Sequence, residues 1–312
     1  MKKISIVASC YNEEENLNEL YDRLKVQTDK YKDIYEFEFI FLDNGSTDKT
    51  ADVLKQLAKK DKHVKVVINS RNFGYSRSSF YGITLVNTDA VFLTSSDLQD
   101  PPELLPDLIQ KWEEGYEIVL LQKNESKENH LMFLLRKLYY TMLYKMADNG
   151  VVLARNCTGS GLIDKKIVDV LKKIDDPLPF YRGLLCEVGF RRAYVQFIQP
   201  VRKKGISAHS FYMLYDFGML GIVKFSKMPL RFMTFLGFSI SVLTFILSIF
   251  YFGWKLLHWD SFSLGIAPII ISLLFLGSVQ LFCLGVLGEY IGAIYTRIDK
   301  KPLVIEKERI NF

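Results

Sequence analysis

Residues 91–106 read VFLTSSDLQDPPELLP. Val91, Phe92, Leu93 and Thr94 are apolar or β-branched, which predicts a buried strand. Two serines follow, then Asp97 and Asp100, then a double proline at Pro101 and Pro102. A strand that ends in acids and stops at prolines has two readings. One is a turn with a helix cap, because Asp before Pro often opens a helix. The other is a metal or phosphate site at the carboxyl edge of a parallel sheet. The rest of the chain decides between them.

Working outward, strand and helix periods alternate over the first 120 or so residues. Strands are predicted at 4–8, 37–42, 64–68, 90–93 and 117–121. Helices are predicted at 13–27, 47–58, 75–86 and 101–112. That alternation predicts a parallel sheet covered on both faces, in the α/β class. Ligands of such sheets bind outside the carboxyl ends of the strands. The segments at those ends are Cys10-Tyr11-Asn12-Glu13, Asp43-Asn44-Gly45-Ser46-Thr47-Asp48, residues 69–74 with Arg71, and Ser95-Ser96-Asp97. Polar residues converging on one edge from separate segments form a site. Neither GxGxxG nor GxxxxGK[ST] occurs, which disfavours a dinucleotide fold or an ATPase.

Acids beside a phosphate need a cation between them. Oxygen ligands select Mg²⁺ or Mn²⁺, and Mg²⁺ takes one or two carboxylates plus substrate phosphates. Asp97 at its strand end suits that role. Asp43 can accept from a base or ribose, or cap the next helix, although Ser46, Thr47 or Asp48 are better placed to cap. Arg71 can pair with a phosphate, or stand as a solvated surface arginine.

The second half changes character. Residues 232–257 are apolar and uncharged up to Lys255, and residues 264–294 carry Glu289 as their one charge. Each run is long enough to cross a hydrocarbon core as a helix, and only residues 258–263 separate them, so they form a hairpin. Lys224, Lys227 and Arg231 precede it, and Arg297, Lys300 and Lys301 follow it. The positive-inside rule therefore puts both flanks and the N-terminal domain in the cytoplasm. Met1 to Lys3 lead straight into a strand, so no signal peptide is expected. The four cysteines and four histidines are scattered, which argues against zinc and fits a reducing compartment. The net charge of +5, clustered near the hairpin, suits anionic headgroups better than nucleic acid.

The motifs Tyr11-Asn12-Glu13-Glu14, Asp43 to Asp48, Arg71-Asn72-Phe73-Gly74 and Asp97-Leu98-Gln99-Asp100-Pro101-Pro102-Glu103 resemble the family 2 inverting glycosyltransferases. Within them the chain is most similar to the polyprenyl-phosphate glycosyltransferases, the group of dolichol-phosphate mannose synthase and the bactoprenol glucosyltransferases. Arg182-Gly183-Leu184, Lys227-Met228-Pro229-Leu230-Arg231 and Gly285-Val286-Leu287-Gly288-Glu289-Tyr290-Ile291-Gly292 carry that narrower likeness. The resemblance implies a Rossmann-like GT-A domain at 1–209, an interfacial segment at 210–230, two transmembrane helices within 231–296 and a cytoplasmic tail at 297–312. It implies an inner-membrane, multi-pass protein using a nucleotide-diphosphate sugar, UDP-linked by preference, with Mg²⁺ or Mn²⁺ and a polyprenyl phosphate acceptor. Tyr11, Asn12, Glu13, Asp43, Ser95 and Ser96 would line the donor pocket. Asp97 and Gln99 would hold the metal, and Asp97 with Arg71 would serve catalysis.

Three departures stand out. Ser95 replaces the first acid of the family's Asp-x-Asp. Gly159-Ser160-Gly161 stands where the family has Asp-Phe-Arg, removing a suspected catalytic acid and a suspected acceptor-phosphate arginine. Ala208 and His209 alter a later basic motif, in which Arg202 and Ser207 keep counterparts. A phosphate nucleophile is already anionic near neutral pH, with a second pKa of about 6, so the missing acid is tolerable for that acceptor class. The missing cation needs a substitute: Arg155 foremost, then Arg136 and Lys137, with Arg202 also on the acceptor side, or backbone N–H groups of the 158–161 loop. Asp100 is expected to cap the following helix, and Asp164 to be structural. Two rivals remain open: transfer to another membrane glycolipid or glycan, and an inactive nucleotide-sugar-binding membrane protein. The oligomeric state stays open, a homo-oligomer included.

Overall fold

The structure is a computed structural model that describes residues 1–124, 156–200, 227–257, 266–298 and 301–312, together with Met219 and Val223. The alternating periods become β1 (Lys2–Cys10), α1 (Leu17–Asp29), β2 (Tyr35–Asp43), α2 (Thr50–Lys60), β3 (Val64–Asn69), α3 (Tyr75–Leu85) and β4 (Ala90–Ser95). A turn of 3₁₀ helix at Pro102–Leu104 leads into α4 (Leu105–Glu113), with β5 (Ile118–Lys123) after it. Beyond these lie β6 (Cys157–Asp164), α5 (Lys165–Leu171), α6 (Tyr181–Glu187) and β7 (Arg192–Phe197).

Eight strands form one sheet in the order β7-β5-β6-β4-β1-β2-β3-β8, where β8 is Glu306–Ile310. Strands β1 to β5 and β7 run one way; β6 and β8 run against them. The sheet is therefore mixed rather than wholly parallel, because the two reversed strands come from segments outside the alternating run. Side chains alternate across the sheet into two cores. Ile4, Ile6, Phe37, Phe39 and Phe41 pack on one side under α1, α2 and α4. Val7, Ile40, Leu42, Val91 and Leu93 pack on the other under α3, α5 and α6. Burial on both faces explains why the central strands read as near-continuous apolar runs.

Helices α7 (Met228–Leu257, 30 residues) and α8 (Ile266–Ile298, 33 residues) touch one another as a hairpin. The stretch Phe275–Ile298 is long and apolar enough to cross a membrane, with mean hydropathy 1.4, and none of it is buried in the protein. A core helix of a soluble domain would be buried, so this apolar surface faces another solvent or partner.

The segment after the hairpin returns to the sheet. Strand β8 pairs antiparallel with β3, Asn69 opposite Glu306 and Val66 opposite Ile310. Ser70 N donates to Ile305 O at 2.8 Å, Tyr81 Oη to Glu306 Oε1 at 2.8 Å, and Lys55 Nζ lies 2.6 Å from Glu308. Asn311 Nδ2 donates to the carbonyls of Ala58 and Val64, both at 2.8 Å. Val304 is buried. Residues 306–310 of the expected tail are thus the edge strand of the N-terminal sheet.

Candidate active site

The carboxyl ends of β1, β2, β3 and β4 lie side by side, because Cys10 is in register with Asp43, and Ser9 with Ser95. At the first two ends, the loops are tied together. Asn12 has a φ of 55° and accepts from Thr47 N at 2.8 Å, while its own N–H donates to Ser46 Oγ at 3.0 Å. The left-handed region suits Asn better than most residues. Tyr11 is half-buried beside it. Glu13 is buried, with its carboxylate taking a 2.5 Å bond from Asn16 Nδ2. Asp43 is buried and accepts from Ser46 N at 3.1 Å; burial pushes its carboxyl up from the ordinary range.

The third end adds an asparagine network that sequence reasoning did not single out. Asn44 Oδ1 accepts from Asn69 Nδ2 at 3.2 Å and from Phe73 N at 3.0 Å, and Asn44 Nδ2 donates to Asn72 Oδ1 at 2.9 Å. Gly45 makes this possible: at φ +71° a Cβ there would sit 2.5 Å from the carbonyl carbon of Arg71. Arg71 is exposed, donates to Asn72 O at 3.0 Å, and lies 4.1 Å over the Phe73 ring. Its guanidinium is held at the rim of the loop cluster.

The quoted stretch builds the fourth end. Asp97 is half-buried and accepts from Gln99 N at 3.1 Å. Between them Leu98 has a φ of 60° and is buried. A left-handed leucine costs on the order of 1–2 kcal/mol, strain that a functional turn can store. Gln99 Oε1 accepts from Gln199 Nε2 at 3.3 Å. The Ser96 hydroxyl is buried and donates to Ser9 O at 3.0 Å. It braces β4 to β1.

Asp100 also departs from expectation. The turn at Pro102–Leu104 has Pro101 at its N-cap and no side-chain cap. Asp100 is buried and instead takes a 2.5 Å bond from Ser160 Oγ on β6. Burial pushes its carboxyl up. Its Oδ1 and the neighbouring Ser95 Oγ are buried without a hydrogen-bond partner among the described residues. Ser95 Oγ lies near enough to ease the charge of Asp100, but the two lack hydrogen-bond geometry. Buried polar atoms without partners are uncommon and call for a missing ligand or ion. No group of three His, Cys, Asp or Glu able to hold a metal occurs among the described residues. One carboxylate on Asp97, with the Ser95 and Gln99 side-chain oxygens on the same turn, is an all-oxygen set of the kind a Mg²⁺ or Mn²⁺ ion completes with substrate phosphates.

Asp164 does what was expected of a structural acid: it caps α5 by accepting from Lys166 N at 2.9 Å and takes Trp112 Nε1 at 2.8 Å. Arg136, Lys137, Arg155, Arg202, Ser207, Ala208 and His209 lie outside the described residues. Tyr75, Arg182 and the side chain of Ser160 were not singled out from the sequence as site residues. Tyr75 is exposed as a whole residue, yet its hydroxyl is desolvated and pushed up to about 12, with Asp100 and Asp97 adding to the effect and Arg182 opposing it.

Residues 5–169 match the family described as glycosyl transferase family 2, and residues 228–294 match the GtrB C-terminal hairpin. The chain belongs to glycosyl transferase family 2 and is a glycosyltransferase. Its relatives include the putative glycosyltransferase CsbB of Bacillus subtilis, 36% identical over 98% of this chain and 91% of that one. The bactoprenol glucosyl transferase of Shigella phage SfX is 32% identical over 98% and 99%. Among solved structures, glucosyl-3-phosphoglycerate synthase from Mycobacterium tuberculosis, in complex with Mn²⁺, UDP and phosphoglyceric acid, superposes with a TM-score of 0.51. It is 20% identical over 71% of this chain and 76% of that one, which fixes the GT-A fold.

Proposed function

We propose that this protein is a membrane-bound inverting glycosyltransferase. It moves a sugar from a nucleotide-diphosphate sugar, UDP-linked by preference, to a polyprenyl phosphate on the cytoplasmic leaflet. The observation that carries this reading is the position of β8. Helix α8 ends at Ile298, and Ile305 already bonds to Ser70 beside Arg71. Seven residues of extended chain span at most about 25 Å. The apolar hairpin is therefore tethered within that reach of the sheet edge that carries the donor loops. An acceptor whose phosphate lies at the membrane surface needs that proximity. The names of the phage relatives and the match to the GtrB hairpin support the same acceptor.

In this reading Tyr11, Asn12 and Asp43 face the nucleoside. Asp97, Gln99 and Ser95 would hold a Mg²⁺ or Mn²⁺ ion, which when bound neutralises the leaving diphosphate. Arg71 adds a cation at the same rim. Glu13 and Ser96 shape the pocket through their own hydrogen bonds rather than by facing the donor. An acceptor phosphate oxygen forms the new bond to the anomeric carbon as the bond to the diphosphate breaks, and the electron pair leaves on the nucleotide. No proton has to be removed, so glycine at 159 does not stop the reaction. The lysines and arginines flanking the hairpin support a catalytic domain on the cytoplasmic side.

The test is transfer of radiolabel in membranes from a panel of nucleotide sugars to added polyprenyl phosphate. A labelled, charged lipid that forms only with active protein and divalent metal supports the reading. Equal transfer to a neutral polyprenol overturns it.

A further inference from the structure

The family's acceptor-phosphate arginine is missing at position 161, and the structure shows why no side chain sits there. A Cβ at Gly161 would lie 2.1 Å from Val119 O and 2.9 Å from Leu120 Cα. Strand β5 presses on β6 at that point. Position 159 is different. Gly159 has a φ of +92°, and a Cβ there would meet the Nε of Arg182 at 3.0 Å and its Cγ at 3.2 Å. Arg182, from α6, lies across the bare backbone where the family carries its acid. It is exposed, and no hydrogen bond or ion pair ties it among the described residues.

Its surroundings are those of the site. Gly159 adjoins Ser160, whose hydroxyl holds Asp100. The Arg182 charge bears on Tyr75, which also feels Asp97 and Asp100, and on Cys157 at the start of β6. A guanidinium without a hydrogen bond or ion pair among the described residues thus stands on the β6 flank of the acid turn, on the side opposite the donor loops of β1 to β3. Guanidinium is the side chain that grips a phosphate through two parallel hydrogen bonds.

We propose that Arg182, laid across Gly159, is the cation that holds the phosphate of the acceptor lipid. This rests on the reading of the acceptor as a lipid phosphate. Arg182 belongs to a motif shared with the subgroup; what is particular here is the glycine at 159, which leaves room for the guanidinium and sets no carboxylate against it.

Initial rates on the full-length protein test this, with polyprenyl phosphate and the sugar nucleotide varied separately. Arg182→Ala should raise the lipid KM at least about tenfold, which corresponds to ~1.4 kcal/mol, and leave the nucleotide KM within about twofold. Arg182→Lys should fall between, keeping charge but losing the fork. Gly159→Asp should mimic Arg182→Ala by pairing with the guanidinium. Arg155→Ala, run alongside, should move the lipid KM less. An active wild type with an unchanged lipid KM in Arg182→Ala overturns the assignment alone. A larger effect at Arg155 than at Arg182 does the same. A wild type that labels no lipid phosphate from any donor overturns the acceptor reading, and this inference with it. Should Arg182→Ala not fold, Arg182→Lys and binding of a short-chain prenyl phosphate to it decide: unchanged affinity overturns the assignment.

Discussion

Ser160 on β6 donates a 2.5 Å hydrogen bond to Asp100, which lies 60 residues earlier and follows the β4 turn, and both residues are buried. The bond ties the reversed strand to the acid turn. Ser160→Ala leaves a buried carboxylate with no side-chain donor of proper geometry, and should cost about 2 kcal/mol, the scale of a bond to a charged group. The melting temperature of the detergent-solubilised protein measures it. A melt unchanged from wild type would show that the pair carries no stability.

Asp97→Ala should abolish metal-dependent turnover while leaving the fold intact. Asp97 is half-buried, and among the described residues its carboxylate accepts the local bond from Gln99 N. Loss of a carboxylate that would hold the cation neutralising the leaving diphosphate removes several kcal/mol of transition-state stabilisation. The check is kcat beside a melting curve: full activity removes Asp97 from the mechanism.

Ser95→Asp restores a second acid beside the buried Oδ1 of Asp100. Like charges close together repel, so the metal-free variant should melt below wild type. Addition of Mn²⁺ should raise its melting temperature by more than it raises that of wild type. An equal or smaller metal shift would mean that position 95 does not face the ion.

Glu38 offers a pH test remote from the site. Burial alone would push its carboxyl up, but Ser5 at 2.6 Å and Lys3 and Lys65, each at 3.0 Å, outweigh burial and hold it below the ordinary range. A carboxyl depressed in the folded state stabilises fully above its unfolded pKa of about 4.3 and loses that contribution as pH falls below it. Glu38→Gln should lower stability by about 2 kcal/mol at neutral pH, and the gap to wild type should close as pH falls below about 4. Melting temperature against pH for both proteins gives the result; parallel curves would contradict it.

A chain ending at Pro302 lacks β8. It uncovers the β3 edge and removes the buried Val304 together with the contacts of Leu303 and Ile310 to the two cores. The expected cost is about 3 kcal/mol, the scale of burying one or two aliphatic side chains. An exposed strand edge also invites association. Melting temperature and gel filtration read the two effects, and an unchanged melt would show that the strand is dispensable.

The sequence by itself determined the elements whose signals are local. Alternating periods located β1 to β5 and α1 to α4 to within a few residues, because a strand or helix facing a core repeats its apolar residues at its own period. It also determined that polar loops meet at one edge, since parallel strands present their carboxyl ends together. The length of two apolar runs determined the hairpin. Tertiary structure decided the rest. Glu306-Lys307-Glu308-Arg309-Ile310 is too charged to announce a strand, and it becomes one because β3 offers an open edge and Lys55 and Tyr81 receive its glutamates. Asp100 reads as a helix cap in sequence, yet Ser160 claims it once β6 inserts next to β4. Arg182 and Gly159 are distant in sequence and meet only because α6 folds over β6. Pairings of this kind depend on which backbone edge or buried oxygen is left without a partner, and that is a property of the assembled sheet.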